Sequence, residues 1–246
     1  MDIWPAVGLP EIALVAAAAM IAGIIRGFSG FGSALVVVPV MAAAFGPRLA
    51  VPAAIIVHLI TSIQLVPEAV RDCEWGRVVP LSVAGSLAIP VGAWVLATQD
   101  PTVLRKAISV LVVMFAILLL RGWRYTGKVN GWVMGGAGAV GGLVTGAATI
   151  GGPPVVAFLM AGPFTAAQNR AAIILYFIVV QLVAVVMYWI GGLYEWAVVG
   201  VCLIVTPTLM LGTWIGQRLF RRASDRIFRR IALGFLMVIG VATFFV

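Results

Sequence analysis

Apolar residues in this chain come in long runs separated by short polar breaks. The runs fall at about 11–27, 33–46, 50–67, 77–98 and 103–120, then at about 131–147, 153–163, 171–190, 195–217 and 227–246. Most approach the roughly 20 residues that a helix needs to cross a bilayer core, whereas membrane β-strands are short and alternate. The pattern predicts an all-α integral membrane protein, one transmembrane domain over 1–246 with roughly 8–10 membrane segments.

The two sets of five correspond. Gly27-Phe-Ser-Gly30-Phe-Gly32-Ser33 and Gly146-Ala-Ala-Thr149-Ile-Gly151-Gly152-Pro153-Pro154 match at a spacing of 119, which also sets Met41 on Met160. Arg48 and Arg170 each open a third segment, and Glu74-Trp75 matches Glu195-Trp196. Gly92-Ala-Trp94 matches Gly212-Thr-Trp214, and Leu104-Arg105-Lys106 matches Phe228-Arg229-Arg230. The chain therefore reads as a duplication, with repeat 1 over 1–121, a linker over 122–130 and repeat 2 over 131–246.

Composition removes the soluble alternative. The sequence is 63% hydrophobic and 10% charged, too little polar surface to coat a water-exposed domain. Its 16 Lys and Arg outnumber 8 Asp and Glu, but they sit in short loops, which points to membrane topology and away from nucleic acid. If each repeat crosses an odd number of times, the halves are inverted. About 12 of the loop cations then face the cytoplasm, leaving Arg48, Arg105 and Lys106 outside. Parallel halves would strand Arg71, Arg77, Arg121, Arg124 and Lys128 outside, so the inverted arrangement is expected. Segments 33–46 and 153–163 are short for a crossing. Each first pair is either a re-entrant hairpin or two short crossings. The beginning of the sequence lacks the basic region of a cleavable signal peptide, so 12–25 is expected to be a mature span.

The glycine breaks carry the candidate chemistry. Glycine permits a tight turn and leaves backbone N–H groups uncovered. The segments that follow point their N-termini back at the turns, and a helix N-terminus favours an anion. Pro153 suits a first helical turn. Paired interrupted segments in two halves are also where a transporter binds its cargo. The expected substrate site is Ser29, Gly30, Gly32, Ser33, Thr145, Thr149, Gly151, Gly152 and Pro153. The competing explanation of the glycines is close helix packing.

Arg26 stands beside the first break, either as a charge partner for the anion or with its head in the lipid headgroups. His58 and Gln181 fall in the middle of the two third segments. His58 is a candidate for proton coupling and Gln181, near its counterpart position, for coupling or gating; the alternative for His58 is an ordinary bond to a neighbouring helix. Asn169-Arg170 reads as a gate or a cytoplasmic cap. The tryptophans near span ends read as interfacial anchors. No metal site, cofactor motif or catalytic pair is expected, since the chain has one His and isolated Cys73 and Cys202. Its partners are a small anion and the bilayer. The rival readings are an anion channel and a sulfur-handling enzyme or assembly factor using a cysteine.

The doubled glycine break, the Ile150-Gly-Gly-Pro-Pro154 tip and Asn169-Arg170 resemble the sulfite exporter TauE/SafE family over nearly the whole chain. The resemblance implies a multi-pass permease of the bacterial inner membrane that carries sulfite, sulfonates or related organic anions. The first tip departs from the richer pattern, with Gly32-Ser33 where the second has Gly151-Gly152.

Overall fold

The computed structural model describes residues 8–100, 130–159 and 164–222, with a few single positions between 103 and 114. The predicted segments at 103–120 and 227–246, the linker at 122–129 and Met160 lie outside the described residues. Within them the chain is helical throughout, with no strand. The helices are α1 (Leu9–Ser29), α2 (Ser33–Phe45), α3 (Pro47–Ser62), α4 (Val66–Arg71), α5 (Trp75–Thr98), α6 (Gly131–Ala148), α7 (Gly152–Leu159), α8 (Ala166–Ile190) and α9 (Trp196–Phe220). A 3-10 turn, Ile63–Leu65, joins α3 to α4, so that Pro47–Arg71 forms one apolar rod. Five of these stretches are long and apolar enough to cross a membrane: Leu9–Ser29, Pro47–Arg71, Trp75–Thr98, Ala166–Ile190 and Trp196–Phe220.

Local signals set the ends. Glycine in the left-handed region ends α1 at Gly30 and precedes α2 at Gly32. Proline at the first position starts α3 directly after Gly46. The third segment of the second half begins at Ala166, five residues before the expected 171. Thr165 and Gln168 form a reciprocal capping box there, so Arg170 sits inside α8 and does not open it. The described tryptophans near helix ends, Trp75, Trp94, Trp132, Trp196 and Trp214, are all exposed, as interfacial anchors would be.

Two glycine seams organise the bundle. α1 lies parallel to α9: a Cβ on Gly23 would meet the Leu209 carbonyl, one on Gly212 the Met20 carbonyl, and one on Gly216 the Ile24 carbonyl. α6 lies parallel to α5 in the same manner, with Gly138 on the Leu81 carbonyl, Gly142 on that of Gly85, and Gly146 on Ile89 and Gly92. Backbones approach this closely only where small residues allow it. In each seam the opening helix of one half packs on the fourth-segment helix of the other.

Polar contacts fix the directions of the helices. Glu68 pairs with Arg170 at 3.1 Å and with Arg221 at 2.7 Å. Gln168 Nε2 donates to Glu74 at 2.9 Å, and Arg77 donates to the Leu159 carbonyl at 3.1 Å. The ends of α4, α7 and α9 and the starts of α5 and α8 therefore share one basic end of the bundle. α9 runs toward this end and α5 away from it, so α1 and α6, each parallel to its partner, run in opposite directions. α1 and α2 pack together through a three-residue connection, as do α6 and α7, so each pair is a hairpin. The α6–α7 hairpin returns to the basic end. The α1–α2 hairpin returns to the opposite end, from which α3 sets out.

Candidate functional site

The two hairpin tips meet in one small cavity. It is lined by Arg26, Phe31, Gly32, Ser33 and Leu35 from the first hairpin and by Thr149, Ile150 and Gly152 from the second, with His58 from α3 and Phe177 and Gln181 from α8. His58 lies eleven residues from Pro47 and thirteen from Arg71, and Phe177 lies eleven from Ala166 and thirteen from Ile190. The cavity thus sits halfway along both central rods.

The first tip is built by Gly30 and Gly32, at φ 83° and 88°. They reverse the chain without the penalty a side chain would incur. The second tip makes the same bend with Thr149 at φ 61°, the one non-glycine residue with positive φ among those described. Its hydroxyl donates to the Val51 carbonyl at 3.4 Å. No side chain caps α2. The N–H groups of Ser33 and Ala34 have no intrahelical acceptor, so the positive end of the helix faces the cavity.

Arg26 is 4% exposed, which removes the headgroup alternative. Its Nη2 donates to the His58 carbonyl at 3.0 Å and to the Ser62 hydroxyl, and Nη1 to Ser33 Oγ at 3.4 Å. Its Nε is buried without a partner, and no carboxylate pairs with it among the described residues. Ser33 Oγ also lies 3.1 Å from His58 Nε2. Ser62 Oγ lies 3.5 Å from Gln181 Oε1, so the polar groups of α1, α2, α3 and α8 form one connected set.

The family model for the sulfite exporter TauE/SafE matches residues 15–243. The chain belongs to that family. A protein of Cupriavidus necator described as "Probable sulfite/organosulfonate exporter TauE" is 24% identical over 220 residues, covering 87% of this chain and 86% of that one. No solved structure matches. Membership places the protein among membrane transporters.

Not every residue expected at the site of this TauE/SafE protein reaches the cavity. Arg26, Gly32, Ser33, Thr149, Gly152, His58 and Gln181 do. Ser29 instead ties the first tip together, donating to the Ile25 and Phe31 carbonyls at 2.8 Å each. Thr145 donates back to the Gly141 carbonyl at 2.7 Å, and Gly151 is packed against that carbonyl and Thr145 Oγ1. Gly30 faces Arg170 and Ile174. The Pro153 side chain lies outside the described residues. Asn169 and Arg170 sit at the basic end, where Asn169 Oδ1 accepts from Arg77 at 3.3 Å.

Three contributors went unread in the sequence. Ser62 holds Arg26, and its one signal was a helical spacing of four from His58. Phe31 and Phe177 wall the cavity and look like ordinary membrane aromatics. The cysteines stand apart from the cavity. Cys202 Sγ donates to the Ala53 carbonyl at 3.7 Å. Burial and the Glu74 charge push the Cys73 thiol above its ordinary value, which disfavours the thiolate.

Proposed function

We propose that this protein carries a small oxyanion, sulfite or an organosulfonate, across the bacterial inner membrane by alternating access, with the tip cavity as its binding site. The observation that carries this reading is Arg26. A buried guanidinium without a carboxylate is costly to maintain. It becomes favourable when an anion arrives, and the α2 N-terminus adds donors on the same side. Ser33, Thr149 and the Gly152 backbone complete the donor set in this reading. His58, bonded to Ser33, takes up the coupling proton once the bound anion offsets the Arg26 charge beside it.

The opposite directions of α1 and α6 and the reciprocal glycine seams support two inverted halves with re-entrant hairpins. The crowding of arginines at one end supports that end as cytoplasmic. The cavity measures about 20 Å³. Room for one water takes roughly 10–15 Å³, so an oxyanion enters only if the lining rearranges. That favours a carrier with an occluded state over a standing channel.

The deciding experiment is efflux from proteoliposomes across a panel of sulfite, methanesulfonate, thiosulfate and simple carboxylates. Saturable flux with a sulfur oxyanion at the head of the panel supports the proposal. Non-saturating conductance without preference among anions contradicts it.

A further inference from the structure

A second cavity, of about 280 Å³, opens at the basic end and is lined by Glu68, Arg71, Asp72, Ala167, Arg170, Ala171, Phe220 and Arg221. One face of α8 joins it to the tip cavity. Ala167, Arg170 and Ala171 line the outer cavity, Ile174 lies one turn further, and Phe177 and Gln181 line the inner one. Steps of three and four residues keep these on a single helix face, and the rise from Arg170 to Phe177 is roughly 10 Å. Between the cavities the face is blocked at Gly30. A Cβ there would stand 3.1 Å from Arg170 Cγ and 3.3 Å from Ile174 Cγ1.

Arg170 is held in this plug by three groups. Nη1 pairs with Glu68 Oε2 at 3.1 Å, Nη2 donates to the Gly27 carbonyl at 2.8 Å, and the guanidinium lies 4.2 Å over the Phe220 ring. Its side chain is 4% exposed, and its Nε is buried without a partner. Glu68 is the only carboxylate on it among the described residues, and Arg221 Nε grips the other oxygen of Glu68 at 2.7 Å. Three arginines against two acids leave the cavity lining one positive charge in excess.

We propose that the outer cavity is a second oxyanion station, in which the Glu68 carboxylate occupies the place that an arriving sulfite or sulfonate takes on Arg170. A carboxylate and a sulfonate offer a guanidinium the same paired oxygens. When the anion takes Arg170, Glu68 is released, the Arg170–Ile174 plug withdraws from Gly30, and the tip cavity opens to this end. The proposal rests on the tip cavity being the transport site. It adds how that site is sealed and what unseals it.

The test is thiol accessibility. Ala34→Cys, on the tip cavity, is placed in a Cys73→Ser/Cys202→Ser background and reacted in everted vesicles with trimethylammonium-ethyl methanethiosulfonate, which does not cross membranes. Glu68→Gln is expected to raise the labelling rate about tenfold, the effect of losing one charge-assisted bond. Glu68→Asp, which keeps the charge, should stay within about threefold of the parent. Methanesulfonate should accelerate labelling in an Arg26→Gln background, where no anion held at the tip shields the cysteine. Labelling that neither Glu68→Gln nor methanesulfonate accelerates overturns the outer station. Arg26→Gln transport is a separate readout, so failure of the tip site and failure of the station are distinguishable.

Discussion

Arg26 Nη1 lies 3.4 Å from Ser33 Oγ, so the last turn of α1 and the first turn of α2 face each other across their own glycine tip. The cation and the uncapped helix end converge on the same few ångströms of space. Each alone has an ordinary explanation, but together they leave an unmet demand for negative charge.

The seams should be intolerant of a single methyl group. Gly142→Ala drives a Cβ into the Gly85 carbonyl, and Gly212→Ala drives one into that of Met20. Overpacking of this kind costs about 1–3 kcal/mol. Thermal denaturation in detergent, followed by size-exclusion chromatography, should show both variants destabilised. The double variant should show the sum, because the two sites lie in separate seams. A neutral Gly142→Ala would mean that the α5–α6 packing is wrong.

The second tip should fail by distortion of its bend, with some loss of stability as in the seams. Gly151→Ala places a Cβ against the Gly141 carbonyl and Thr145 Oγ1, at the bend that presents Gly152 to the cavity. Membrane insertion is expected to survive while anion efflux falls at least about tenfold, the effect of displacing one bonding group. Undiminished flux in Gly151→Leu, a larger intrusion, would sink the role of this tip.

Thr149 stores strain that Gly30 avoids. A β-branched residue in the left-handed region costs roughly 1–2 kcal/mol, partly offset in a glycine variant by the added freedom of its unfolded chain. Thr149→Gly is therefore expected to hold or raise the melting temperature, whereas Gly30→Ala should lower it. Loss of more than about 1 kcal/mol in Thr149→Gly would show that the bond to the Val51 carbonyl matters more than the backbone.

The sequence carried much of this. Apolar run lengths located the described membrane-length helices within a few residues, apart from the start of α8, because the bilayer dictates length and composition together. The two glycine clusters marked the tips, because the bend takes left-handed backbone at Gly30 and Gly32, although Gly27 and Gly146 of the same clusters serve the seams. The start of α8 was misjudged because Thr165 and Gln168 act through a reciprocal cap that hydropathy does not register. Seven of the expected site residues reached the cavity. Ser29, Thr145 and Gly151 did not, since short polar side chains and tight glycines near a bend serve the bend first. The pairing of Glu68 was not legible, because a carboxylate near a span end looks like any loop charge until Arg170 and Arg221 fold onto it.

The measurement that bears most directly on the tip site is methanesulfonate binding and sulfite efflux in Arg26→Gln, with Arg26→Lys beside it. The glutamine variant keeps volume and loses the charge and the fork, and should weaken binding by roughly 10- to 100-fold, in line with about 1.5–3 kcal/mol for a charged hydrogen bond. Lysine restores the charge without the paired donors and should fall between the two. Unchanged affinity and flux in Arg26→Gln would contradict the account, since the buried guanidinium would then serve the fold alone.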